Sequence, residues 1–332
     1  MRTPSGPVLL VSDVAKEFED LDISRLDLEV SERETIRGIM SGIGDAGYTC
    51  KHIQDPKELP SAAEGCPNSV VLSIWSGTDN RNRRAIVPSI CEAHQINYIG
   101  ADPYAAMISG DKELSKTVCA DFGISAPRGL LIHGEDQLDR AALLDFPIVV
   151  KPLMEGGSIG ITQQSKANDF DQACDQLRRL MKHHKPPILC EEFVGGREVS
   201  FCLIGSSSVR HIEAVEVRFD GEDDYFEEHL FSMQDKRSRE RQRKQRFVNV
   251  TSEIPASLIA QVRSLFLALG KVDYMRIDGK LTDRFWCLEL STDPSISKVS
   301  LFAHSYYSIG KSYREMISDI LSTRPSNAGG GT

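Results

Sequence analysis

Two acids standing where strand cores are expected are the first residues here that ask for a chemical role. Asp278 follows Met275-Arg276-Ile277 and Glu289 follows Trp286-Cys287-Leu288, so each carboxylate lies in an apolar run. The runs 274–281 and 284–290 read as the arms of a β-hairpin. Carboxylates in core-like strands need a compensating charge, and a magnesium ion supplies it by taking carboxylate, phosphate and water oxygens together. The competing reading is simple alternation that turns both acids to solvent; these two segments alone leave both open.

Lys151 ends another apolar run and precedes Met154-Glu155-Gly156-Gly157-Ser158-Ile159-Gly160. Glycines there let backbone N–H groups approach a phosphate, and a lysine beside them suits a nucleotide. The spacing is not that of a Walker loop, and an ordinary strand-to-strand turn fits the segment as well. A third piece is Ile188-Leu189-Cys190-Glu191-Glu192-Phe193-Val194, running into Gly195-Gly196-Arg197-Glu198. It reads as an edge-like strand offering backbone groups to an adenine edge, with Glu198 in reach of a ribose; any buried strand is the alternative.

These groups need a scaffold. A strand at 8–11, a helix at 31–46 with a Ser31/Glu34 capping box, a strand at 70–74, a helix through His94 and a strand at 96–99 make a β-α-β-α rhythm. Such a rhythm predicts a mainly parallel sheet with helices on both faces. A helix over 111–122 carries paired lysines, and strands at 129–133, 148–151 and 188–193 bracket the glycine turn and a polar helix at 169–183. Alternation at 198–204 and 211–219 predicts antiparallel strands, and a helix at 256–269 precedes the hairpin.

Composition narrows the class. The chain has 332 residues, 40% of them hydrophobic and 26% charged, enough for two or three packed lobes. No run approaches the ~20 apolar residues of a membrane span, and 8–11 is too short for a signal-peptide core, so a cytoplasmic enzyme with no membrane partner is expected. Eight scattered cysteines without a CxxC pair read as reduced core residues. A net charge of −9 argues against nucleic-acid partners, although 236–246 (KRSRERQRKQR) is strongly basic. That run is either a mobile loop closing over phosphates or a solvated charge run.

In their order and joint presence, the lysine-bearing helix, the lysine before a glycine loop, the acidic strand and the Arg276-x-Asp278 and Glu289 hairpin resemble the ATP-grasp superfamily. Within it the chain is most similar to D-alanine–D-alanine ligase and its relatives, over about Val8 to Leu321 and most strongly from Tyr98 onward. The resemblance implies an α/β protein with α+β C-terminal lobes: a parallel-sheet pre-ATP-grasp domain at 1–101, a central ATP-grasp lobe at 102–185, a C-terminal lobe with the metal site at 186–324, and a disordered tail at 325–332. It implies ATP and one or two magnesium ions, replaceable by manganese. The activity would be that of a carboxylate–amine ligase working through an acyl phosphate on small-molecule substrates, in a homodimer.

Residue by residue, the resemblance makes Lys112 and Lys151, with Glu155, Gly156, Gly157 and Ser158, the phosphate contacts. Glu191, Glu192, Phe193, Val194 and Glu198 take adenine and ribose. Arg276 faces the acyl phosphate, with Ser158 and Ser295 also catalytic. Asp278, Glu289 and Ser291 hold metal, and Ser300 takes the acceptor's carboxylate. Three departures stand out. Ser291-Thr292-Asp293-Pro294-Ser295 replaces Asn-Thr-x-Pro-Gly, so Ser291 is a neutral metal ligand, with Asp293 as a helper, and Ser295 puts a Cβ where the family has glycine. Gly157 replaces a donor-seating serine, and Glu29 is only an approximate counterpart of the donor-seating glutamate. The stretch Gly77-Thr78-Asp79-Asn80-Arg81-Asn82-Arg83-Arg84 offers Arg81 and Arg83 to a carboxylate. A donor other than D-alanine is therefore expected, in a dipeptide or γ-glutamyl-type natural product. The alternatives are a D-alanine–D-alanine ligase proper and, from another class, a non-catalytic ATP-binding protein.

Overall fold

Val8-Leu9-Leu10-Val11 is apolar throughout because both faces of its strand are covered. Val8 and Leu10 pack on Ile36, Ile39 and Ile43, whereas Leu9 and Val11 pack on Leu59, Ala62, Val87 and Cys91. The computed structural model describes residues 6–13, 33–77, 81–232, 235 and 244–323. Ser31 of the expected capping box, Glu29, the 325–332 tail and most of the basic run lie outside them.

The N-terminal sheet contains β1 (Val8–Val11), β2 (Cys50–Ile53), β3 (Val70–Ser73) and β4 (Tyr98–Ile99), all parallel in the order β2-β1-β3-β4. Helix α1 (Arg33–Asp45) covers one face; α2 (Leu59–Glu64) and α3 (Arg83–Ala93) cover the other. The strand Cys50–Ile53 was not expected: Cys50-Lys51-His52-Ile53 buries only Ile53 fully, so it carries no apolar run.

Two short helices follow, α4 (Pro103–Gly110) and α5 (Lys112–Asp121), the second capped by Asp111, which accepts from the N–H groups of Glu113 and Leu114. The central sheet holds β5 (Gly129–Ile132), β6 (Ile148–Pro152), β7 (Lys166–Ala167) and, after helix α6 (Phe170–Met181), β8 (Ile188–Glu192), in the order β5-β8-β6-β7. Helix α6 buries Ala173, Cys174, Leu177 and Leu180, an i, i+4, i+7 stripe, against this sheet. A boundary at 185 falls one strand too early, because β8 pairs with both β5 and β6. Conversely, Ala101 to Ile124 packs into the core of the C-terminal lobe.

That last lobe is built on β9 (Arg197–Gly205), β10 (Val209–Phe219), β11 (Gln245–Asn249), β12 (Tyr274–Leu281) and β13 (Phe285–Ser291), in the antiparallel order β11-β10-β9-β12-β13. Helix α7 (Tyr225–Glu228) sits beside it, and α8 (Ala256–Ala268) packs on one face together with α4 and α5. The other face meets α9 (Leu301–Tyr307) and α10 (Tyr313–Leu321), which share a core with α1 and β1. Gly42 makes that junction possible, because a Cβ there would stand 2.4 Å from the Tyr313 ring.

Candidate functional site

The β12–β13 hairpin sets the two acids directly opposite each other: Asp278 pairs in register with Glu289 and Arg276 with Ser291. Immediately beyond, the register shifts so that Gly279 faces Cys287, which leaves Leu288 as the extra residue of a bulge. Gly279 is required at this point, since an added Cβ would lie 2.2 Å from the Trp286 carbonyl. Both acids therefore face one cavity of about 780 Å³, which Leu288 also lines.

Around Asp278 the contacts are charge-assisted. Arg276 donates from Nε at 2.6 Å and from a terminal nitrogen at 2.8 Å, and the Ser200 hydroxyl donates at 2.6 Å. Burial opposes the charge on Arg276, but Asp278 outweighs it and raises the guanidinium above its ordinary value, so it is a permanent cation. Glu289 lies 3.5 Å from Lys112 Nζ, which also donates to the Glu155 carbonyl.

Lys151 projects from β6 and Lys116 from α5 onto a single carboxylate, Glu191 of β8. Lys116 reaches it at 3.0 Å and Lys151 makes a close ion pair with it. Burial pushes the Glu191 carboxyl up, yet the two ammonium groups together hold it below the usual range. Complete burial, with Lys116 and Lys112 nearby, pulls Lys151 below ordinary lysines against the attraction of Glu191.

The glycine loop presents Gly157 and Ser158, both with left-handed backbones (φ 62 and 64). For serine this is an uncommon conformation, and it aligns successive N–H groups as anion-binding loops do. The Ser158 hydroxyl donates to the Phe231 carbonyl at 2.8 Å, joining the loop to the segment that leads into the basic run. Gly156 stands behind the lining, its carbonyl accepting from Ile159 N–H at 3.0 Å. Glu192 at the end of β8 and Phe193 and Val194 just past it line the cavity, and Glu198 pairs with Lys280 at 2.9 Å.

Several expectations change at this point. The strand Ile188–Glu192 is not an edge, because it is flanked by β5 and β6; Phe193 and Val194 lie beyond the ladder. Arg81 is exposed, and Arg83 is buried on Glu155 at 2.9 Å and the Met154 carbonyl at 3.1 Å, so Arg83 braces the glycine loop and offers nothing to a substrate. Arg84 is the arginine of that stretch that reaches the cavity, where it chelates Asp293 and keeps that acid from assisting Ser291. Ser300 uses its hydroxyl to cap α9, accepting from Ala303 N–H at 3.1 Å and donating to the Ser297 carbonyl at 2.7 Å. Ser295 is absent from the left-handed residues among those described, so its Cβ costs no backbone strain. Lys116 and Lys280 were missed. An i, i+4 pair on α5 and alternation along β12 are the signals that could have found them.

A family model for the D-ala D-ala ligase C-terminus matches residues 130–322, more than half of the chain. The chain belongs to the D-alanine–D-alanine ligase family. It is an ATP-grasp ligase, and the order of its elements is that of the family's fold. A D-alanine–D-alanine ligase from Bordetella petrii is 28% identical over 236 residues, 68% of this chain and 67% of the relative. Among solved structures, a D-alanine–D-alanine ligase from Bacillus anthracis complexed with ATP superposes with a TM-score of 0.66 at 19% identity, covering 96% of this chain and 97% of that one. The VanG D-Ala:D-Ser ligase from Enterococcus faecalis superposes with a TM-score of 0.68 at 16% identity, covering 96% and 98%.

Ligases of this family use ATP and a divalent metal, and the donor set fits a hard cation: two carboxylates and the Ser291 hydroxyl on adjacent strands. Among the described residues no group of three or more His, Cys, Asp or Glu forms a closed metal cage. A cation held here by two carboxylates would complete its shell with phosphate and water oxygens. Among the same residues, no helix is long and apolar enough to cross a membrane.

Proposed function

We propose that this ligase joins an amino-acid carboxylate to the amine of a second amino acid, with ADP and phosphate as products. The observation that carries this reading is the convergence of Lys112 from a helix, Lys151 from a strand of another sheet, and Arg276, Asp278 and Glu289 from the hairpin onto one cavity. Lys112 and Lys151 neutralise the nucleotide's phosphates while Gly157 and Ser158 cradle them. Phe193 and Val194 flank the base, and Glu198, held by Lys280, takes the ribose.

Asp278, Glu289 and Ser291 would hold one or two magnesium ions, or manganese in their place, and the metal would supply charge neutralisation for the phosphates. The donor carboxylate attacks the γ-phosphorus and ADP leaves. Arg276 then stabilises the negative charge that develops as the amine attacks the acyl phosphate and phosphate departs. With no serine at position 157 and Arg84 at the cavity wall, we favour donors other than D-alanine and a natural-product amide over a cell-wall dipeptide. The test is mass spectrometry of reactions containing ATP, magnesium and paired pools of L- and D-amino acids. A product weighing the sum of two substrates less one water supports the reading, and ATP hydrolysis without such a product counts against it.

A further inference from the structure

The large cavity extends well past the Asp278–Glu289 hairpin. Lys280, Glu198, Val217 and Phe247 pair in register across β12, β9, β10 and β11, and all four line it. Phe247 therefore stands three strand spacings, about 14 Å, from β12. There Val217, Phe247 and Leu301 belong to one apolar cluster, and α9 brings the His304 ring to 4.4 Å from the Phe247 ring. Val299 lines the same end and is 76% exposed, the most exposed of the large apolar side chains described, so apolar surface is left open beside the cavity. His211 spends a ring nitrogen on Ser305, whereas neither ring nitrogen of His304 has a hydrogen-bond partner among the described residues. Burial, with no charged neighbour contributing, lowers His304 from the ordinary 6.5. At pH 7 its ring is neutral, with one donor and one acceptor to offer.

We propose that this shelf receives an aryl side chain with a polar edge, carried by one of the two substrates, with the ring on Phe247 and Val299 and its polar atom bonded to His304. This rests on the ligase reading above and makes His304 a specificity-determining residue. A methyl group on a substrate held at Arg276 does not cross the sheet to Phe247, whereas an aryl arm is long, and stiff enough to arrive with little loss of freedom. A purely aliphatic arm would cover the imidazole and leave it unbonded. A charged arm would give up its hydration where no counter-ion adjoins His304. A ring bearing a hydroxyl or an N–H satisfies both the apolar walls and the imidazole.

Calorimetric titration of the full chain, with magnesium and a non-hydrolysable ATP analogue present, tests this. The probes are tyrosine, phenylalanine, cyclohexylalanine and alanine in each configuration. In one configuration tyrosine should bind tighter than phenylalanine by about 3- to 10-fold, the worth of one hydrogen bond, and phenylalanine tighter than its saturated counterpart. His304→Leu should erase the advantage of tyrosine, and His304→Gln should keep part of it. Phe247→Leu should weaken both aromatic probes by up to about 10-fold. All three variants should bind the nucleotide analogue as the unaltered protein does, which separates a substrate shelf from a structural cluster. Alanine bound as tightly as tyrosine, a tyrosine preference that survives His304→Leu, nucleotide affinity lost in parallel, or no binding by any probe would overturn the inference. Phosphate release from ATP reports on the ligase reading separately. Tyrosine bound without turnover sinks that reading alone, and turnover of alanine that tyrosine neither joins nor inhibits sinks this one alone.

Discussion

Glu191 stands directly across from Val149 in the central sheet, and Lys151, two residues along the same strand, reaches diagonally to its carboxylate. Lys116 arrives at the same carboxylate from α5, so one buried anion holds two buried cations in place. Glu191→Gln would leave those lysines without their shared counter-ion. A loss of about 3–5 kcal/mol of stability is expected, the usual cost of stranding a buried charge. Urea denaturation measures it, and a loss under about 1 kcal/mol would show that the lysines are held by other groups.

The same pair sets an alkaline limit on nucleotide binding. Lys151 is lowered from the ordinary value of 10.5 by burial first, and only its protonated form attracts phosphate. Binding therefore draws on a cation that is lost as pH rises through the lowered value. ATP affinity should begin to fall before pH reaches the ordinary lysine range, and Lys151→Met should bind weakly with little of that pH dependence. Fluorescence titration with a labelled ATP analogue across alkaline pH checks both.

Arg276 reaches only Asp278 among the acids to which it bonds within the described residues, and it faces the cavity with it. Its removal should act on the developing charge more than on the resting nucleotide. Arg276→Met is expected to lower kcat by about 10²- to 10³-fold with a much smaller change in the KM for ATP. Steady-state kinetics decides it, and equal losses in both would make Arg276 a binding residue.

His211 gives an acid signature unrelated to catalysis. Burial pushes its pKa down from 6.5 to about 4, with the ring stacked on Tyr306 at 4.2 Å and bonded to Ser305 at 3.0 Å. The folded state therefore binds the proton more weakly than the unfolded chain does. Stability is unaffected above about pH 6.5 and falls as pH drops from there toward 4, by up to about 3 kcal/mol. Thermal unfolding across pH 4 to 7 should show this slope, and His211→Gln should flatten it.

Those partnerships also explain how far the sequence could be read. The helix over Phe170–Met181 was legible because one face of it is buried and the pattern records it, and the strands at Arg197–Gly205 and Val209–Phe219 and the hairpin were legible from their closely spaced apolar positions, although Arg197–Gly205 is covered on both faces. Asp278 and Glu289 stood out as charges within core-like strands. By contrast, Cys50–Ile53 shows little apolar pattern, and Pro103–Gly110 is apolar on nearly every side. Pairings between distant segments leave no local trace. Arg84 on Asp293 and Arg83 on Glu155 join residues from different lobes, so an arginine-rich stretch could be noticed without revealing which arginine reaches the cavity.

The measurement that bears most directly on the central claim is phosphate release from ATP and magnesium across paired amino-acid pools, with Asp278→Asn and Glu289→Gln run beside the unaltered protein. Release that requires a particular pair, and falls by at least ~10²-fold in both variants, is the predicted result. Release that ignores the amino acids, or survives loss of both carboxylates, would contradict a metal-assisted ligase built on the Asp278–Glu289 hairpin.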